Sequence, residues 1–120
     1  MKQVKLFIYL FIVGVMVAAC NKEEAVTMRW DLTGCSNPWD SQINLDTFTT
    51  EDYHQGIYDY LSSENIQVNY ISSEFDSSKA EVCLACHCKT GEIILINIPK
   101  RDKSKLKRLL NNNQFNLEIY

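Results

Sequence analysis

Cys83-Leu84-Ala85-Cys86-His87-Cys88 sets three thiols and an imidazole within six residues, and Cys35 offers another thiol upstream. Thiolate and imidazole are the donors that Zn²⁺ and Cu(I) prefer, so Cys83, Cys86, His87 and Cys88 form a candidate soft-metal set, with Cys35 as a further donor. The same sulfurs can pair instead. Four cysteines allow three full pairings, and spacing alone does not choose among them. In the stapled reading, Cys35 bonds to one cysteine of the cluster, and the other two pair or stay buried. A third chemistry is thiol–disulfide exchange through Cys83-Leu84-Ala85-Cys86. Redox proteins of that kind set CxxC at a helix N-terminus after a strand. Here the motif precedes a strand and a turn.

Geometry narrows these readings. Residues 80–89 read as a strand, followed by a turn at Thr90-Gly91. On a flat strand Cys86 and Cys88 share a face with Val82 and Leu84, while Cys83 and His87 lie opposite. One metal cannot then take all of them. A flat strand also holds the Cα atoms of Cys83 and Cys86 about 10 Å apart, beyond disulfide reach. Either the strand breaks at the cluster, or the sulfurs act on two faces.

The state of those sulfurs depends on the compartment, and the N-terminal residues bear on it. Lys2 and Lys5 precede an uncharged apolar run over residues 6–19. A run of about 14 residues is too short for the ~30 Å hydrocarbon core, yet it matches the apolar region of a signal peptide. Polar Asn21-Lys22-Glu23-Glu24 follows it. Val17-Ala18-Ala19-Cys20 resembles the lipobox of bacterial lipoproteins. The resemblance implies cleavage before Cys20, a diacylglyceryl thioether on its sulfur and acylation of the new amine. Several acyl chains together give near-permanent anchoring, whereas one alone is marginal.

On this reading the chain divides into a leader (1–19), a lipidated tether (20–24) and a single domain (25–120). Asn21 is not the Asp that holds some enteric lipoproteins in the inner membrane, so the resemblance implies the outer membrane. Lys22-Glu23-Glu24 is similar to the export signal that carries certain lipoproteins to the cell surface, which leaves the periplasmic and surface faces both open. Outside the reducing cytoplasm, disulfides among Cys35, Cys83, Cys86 and Cys88 are the first expectation. The segment from Cys83 to Gly91 is also similar to one in small uncharacterised exported proteins, a resemblance that implies no activity.

Loss of the leader from the 120-residue chain leaves about 100 residues, enough for one small domain that gains from a covalent staple. The formal charge of -3 becomes about -5 once Lys2 and Lys5 are gone, which argues against general attraction to nucleic acid or anionic lipid. The basic residues Lys100, Arg101, Lys103, Lys105, Lys107 and Arg108 form a local positive face without interleaved aromatics, so single-stranded nucleic acid is not an expected partner. The expected partners are the membrane, through the anchor, and a protein or small ligand.

The elements that must position the cysteines follow from periodicity. Val26, Met28, Trp30 and Leu32 alternate with polar residues and predict a strand ended by Gly34. Cys35 to Asp40 reads as a turn around Asn37-Pro38, with Trp39 closing one end of the core. Ile43 and Leu45 suggest a short edge strand. Thr49 or Thr50 caps a helix with Tyr53, Ile57, Tyr60 and Leu61 as its buried stripe, His54 beyond it as an exposed polar residue, and Asn65 as a left-handed cap. Further strands are expected at residues 66–70, 80–89, 92–98 and 115–119, with residues 72–79 a polar loop. The 92–98 strand is apolar on both faces and so central. A second helix opens at Asp102 or Ser104 and buries Leu106, Leu109 and Leu110.

This pattern predicts an α+β fold: a two-layer sandwich whose antiparallel or mixed sheet carries two helices on one face. The order resembles the ferredoxin-like plan with an extra strand. No Ser-His-Asp set, phosphate loop or acid pair is present, so the expectation is a binding or structural component and not an enzyme.

Overall fold

The structure, a computed structural model, describes residues 23–43 and 49–111. Strand β1 (Ala25–Thr33) buries Met28, Trp30 and Leu32 along one face, as its alternation demands. Helix α1 (Thr50–Ser63) opens with a capping box. The Thr49 hydroxyl accepts from the Asp52 amide at 3.2 Å, and the Asp52 carboxylate accepts from the Thr49 amide at 3.0 Å. Tyr53, Ile57, Tyr60 and Leu61 are its buried residues, and Asn65 follows its end with φ 58°.

Strand β2 (Tyr70–Phe75) leads through a 3-10 turn and the cysteine loop to β3 (Lys89–Pro99). A further 3-10 turn at Lys100–Asp102 feeds helix α2 (Lys103–Asn111). The sheet order is β1-β3-β2, with both neighbours antiparallel to β3. Strands β1 and β2 therefore run parallel to each other, with α1 as their crossover and β3 between them.

One face of β3 carries Ile94, Ile96 and Ile98, all fully buried. They join Met28 and Trp30 of β1, Ile57 and Leu61 of α1, and Leu106 and Leu110 of α2 in a single core. Both helices thus pack on the same sheet face. The other face of β3 is roofed differently. Ile93, also fully buried, lies in register between Asp31 and Glu74. Arg29 bridges to Glu74, and Asp31 binds Lys79 at 3.3 Å and Lys89 at 2.8 Å. The aliphatic stems of these charged residues cover the strand while their heads stay wet.

Several expectations need correction. The described residues hold three strands, so the architecture is an open three-stranded antiparallel sheet with two helices and not a ferredoxin-like plan with an extra strand. Residues 66–69 and 80–88 are not in strands; β2 begins only at Tyr70 and runs to Phe75, into the stretch from residue 72 where a polar loop is expected, and β3 begins at Lys89. Sequence YISSEF hides its strand character because β2 is an edge, exposed on much of its surface. Ile66 and Val68 are buried, but they plug the core from an extended connection. His54 is half-buried, and its Nε2 is covered without a hydrogen-bond partner. Leu45 and the strand expected at residues 115–119 lie outside the described residues. Among the described residues no helix is long and apolar enough to cross a membrane.

Candidate functional site: a disulfide-stapled pole

The β1–β3 register gives the domain two poles. Ala25 pairs with Pro99 at one end, and Thr33 pairs with Lys89 at the other. Nine residues of β1 separate them, about 27–30 Å of extended chain. All four cysteines of the domain lie at the Thr33–Lys89 end.

There the structure joins Cys35 to Cys86, with Cα atoms 4.6 Å apart, and Cys83 to Cys88, with Cα atoms 6.2 Å apart. The second bond shows why residues 80–89 are not a strand. Five steps of extended chain would put Cys83 and Cys88 roughly 16 Å apart. The bond folds the segment back on itself, so the choice between a broken strand and a two-faced strand resolves in favour of the break. The Cys88 amide donates to the Ala85 carbonyl at 3.1 Å, closing the turn.

Backbone pairing carries the loop onto the end of β1. Gly34 donates to the Cys88 carbonyl and Cys35 to the Cys86 carbonyl, each at 3.1 Å. Glu81 clamps the loop's two ends: its amide donates to the Lys89 carbonyl at 2.9 Å, and its carboxylate accepts from the Lys89 amide at 2.8 Å. Asp31 holds the same corner through Lys79 and Lys89. Burial alone would raise the Asp31 carboxyl, but hydrogen bonds from the two lysines and their charges outweigh it and hold the group below the usual carboxylate range.

The turn after β1 is built around Asn37, which is buried. Its Oδ1 accepts from Trp30 Nε1 at 3.1 Å and from the Thr33 amide at 3.0 Å. Its Nδ2 donates to the Thr33 carbonyl and to the Asp40 carboxylate, both at 2.9 Å. Trp39 is fully buried against Trp30, ring centroids 5.6 Å apart, so it serves the core and not a ligand groove. Trp39 Nε1 donates to the Tyr53 hydroxyl at 2.7 Å, and Tyr53 in turn donates to Asp40 at 3.2 Å. Burial and the Asp40 carboxylate, against the Trp39 hydrogen bond, push the Tyr53 hydroxyl well above its ordinary value, so it stays a neutral donor. The position of Cys35 is thereby tied to α1 and to β1.

Gly91 sits where the loop rejoins β3. It adopts φ +88°, and an added Cβ would lie 3.0 Å from the Asp76 carbonyl and 3.0 Å from the Phe75 ring. Both the backbone conformation and the crowding require glycine.

What the pole offers is a rigid loop with apolar tips. Val82 and Leu84 are fully exposed, and Phe75 beside Gly91 is 69% exposed. Gly34, Cys35, Cys83, Leu84, Cys86 and Cys88 line an open depression of about 260 Å³. With its sulfurs paired, the set Cys83, Cys86, His87 and Cys88 offers no thiolate to Zn²⁺ or Cu(I), and among the described residues no group of three metal-ligating side chains assembles. The soft-metal chemistry would first require reduction. Cys83 and Cys86 belong to different bonds, so the CxxC disulfide of a redox centre is not formed. Sequence reasoning missed Asn37, Asp31 and Glu81 as the groups that hold the pole. The Asn37-Pro38 turn signal was the one trace of them.

Comparison with protein-family models, curated proteins and solved structures gives no match for this chain.

Proposed function

We propose that the chain is an exported lipoprotein, acylated at Cys20 and held at the outer membrane, whose small domain presents the cysteine-stapled loop to a protein or small ligand. The supporting observation is the pairing of Cys35 with Cys86 and Cys83 with Cys88, a state that persists in oxidising compartments and not in the cytoplasm. The lipobox-like Val17-Ala18-Ala19-Cys20 supplies the matching anchor. The domain then acts as a binding or structural component. Its binding element is Val82 and Leu84, two apolar side chains held in water by a covalently closed loop.

Metabolic labelling with an alkyne-bearing fatty acid, followed by isolation of the protein, tests the anchor. Label on the wild-type chain that is lost in Cys20→Ser supports the reading. Equal labelling of both, or of neither, overturns it. Protease treatment of intact cells then distinguishes the surface face from the periplasmic face.

A further inference from the structure

The tether that would carry the lipid is clamped to the basic end of the domain. Glu24 accepts from Lys100 Nζ at 2.6 Å, and Glu23 pairs with Arg101 at 3.1 Å. The Lys100 amide donates to the Glu24 carbonyl at 2.8 Å, which extends the β1–β3 ladder by one step. Cys20 precedes Glu23 by three residues. Three extended residues span at most about 11 Å. An acyl chain on Cys20 therefore brings the Lys100–Asp102 turn, and α2 directly after it, close to the lipid headgroups.

Helix α2 is unlike the rest of the domain in charge. Its residues Lys103–Asn111 include Lys103, Lys105, Lys107 and Arg108 and no acid. Lys105 is engaged by Asp102 at 3.0 Å. Lys103, Lys107 and Arg108 have no acidic partner among the described residues. Leu106 and Leu110 hold one side of the helix in the core, Lys103 lies half-buried on that side at the start of the helix, and Lys107 and Arg108 are exposed. The remainder of the domain is acidic overall. A body with that asymmetry orients near an anionic surface, basic side inward.

We infer that the cations Lys103, Lys107 and Arg108 of α2 dock on anionic phospholipid headgroups and set the orientation of the domain on its membrane, with the cysteine pole directed away. This rests on the Cys20 anchor. The cations lie within reach of a field that decays over a Debye length of ~8–10 Å. Each lysine or arginine near such a surface strengthens its attraction about fivefold.

The test uses the full mature protein purified from membranes and reconstituted into vesicles of phosphatidylcholine alone or with phosphatidylglycerol. Lysine acylation by a soluble reagent is read residue by residue. In phosphatidylglycerol vesicles Lys103 and Lys107 should label about fivefold more slowly than in phosphatidylcholine, while Lys79 and Lys89 at the far pole are unchanged. High salt should abolish the difference, as should Arg108→Gln combined with Lys107→Gln, read at Lys103. Retention on phosphatidylcholine with no slowing at Lys103 and Lys107 overturns the inference and leaves the anchor standing. Failure to stay on phosphatidylcholine vesicles overturns the anchor itself. Equal slowing of all four lysines also overturns the inference, because it reports a flattened domain with no preferred face.

Discussion

Lys100 holds Glu24 twice, by its amide on the carbonyl at 2.8 Å and by its ammonium on the carboxylate at 2.6 Å. This double contact puts Glu24 at one end of the β1–β3 ladder, and Cys35 with its disulfide lies at the other. The side-chain pair is exposed on both partners, so it contributes little to stability, about 0–1 kcal/mol. Its consequence is directional: Glu24 and Cys86 lie at opposite ends of the β1–β3 ladder.

The two disulfides differ in the chain they close. Cys35–Cys86 spans 51 residues, and Cys83–Cys88 spans 5. If loop closure in the unfolded chain dominates, the long bond stabilises by about 4 kcal/mol and the short one by about 2 kcal/mol. The double variant Cys35→Ser/Cys86→Ser should therefore lose about twice the stability of Cys83→Ser/Cys88→Ser in urea unfolding. Equal losses would show that strain or native contacts, and not chain entropy, decide the effect.

Asn37 satisfies both Trp30 Nε1 and the Thr33 amide inside the protein. Asn37→Ala leaves these donors buried and unpaired and frees Asp40, and it should cost about 3 kcal/mol. Chemical denaturation measures it. A loss below about 1 kcal/mol would mean that water enters and replaces the amide.

Gly91→Ala forces a Cβ onto φ +88° and into contact with the Asp76 carbonyl. The expected cost is about 2 kcal/mol, seen as a lowered Tm. Because Gly91 lies near the start of β3, beside the cysteine loop, amide exchange in β3 near Ile93 should also rise. An unchanged Tm would contradict the crowding at this position.

Much of this architecture was readable from the chain. Met28, Trp30 and Leu32 alternated, Tyr53, Ile57 and Leu61 recurred at helical spacing, and Thr49 or Thr50 marked the helix start. Each signal came from an element with one wet face. The cysteine region was misread because periodicity carries no information about covalent closure: Val82, Leu84 and Cys86 alternate like a strand, and the Cys83–Cys88 bond overrides the pattern. β2 was missed for the opposite reason. Its Ser72, Ser73 and Glu74 are polar because β3 alone supplies the hydrogen bonds and much of the apolar cover. The hub at Asn37 depended on contacts with Trp30 and Asp40 that no local spacing announces.

Among the described residues four carboxyls, those of Asp31, Asp52, Asp76 and Asp102, are held below the usual carboxylate range, and two of them join distant parts of the chain. Asp31 is held low by Lys89 and Lys79 against the effect of burial. Asp102 is held low first by the Gln67 amide at 2.9 Å and, against some desolvation, by Lys105. A carboxyl depressed in the folded state contributes stability above its unfolded value, near ~3.9, and that contribution is lost as pH falls through the folded value. Stability should be flat from about pH 5 to 7 and fall steeply below about pH 4. In Asp31→Asn/Asp102→Asn the neutral-pH stability should drop and the acid-side slope should shrink. A slope identical to wild type would assign the acid sensitivity to other groups.

The intact mass of the protein, recovered from its native membranes without reductant, tests the account most directly. The expected species begins at Cys20, carries diacylglyceryl and acyl mass there, and is lighter by the hydrogens of two disulfides, joining Cys35 to Cys86 and Cys83 to Cys88. A species that begins at Met1, bears no acyl group and reacts fully with thiol reagents would contradict it.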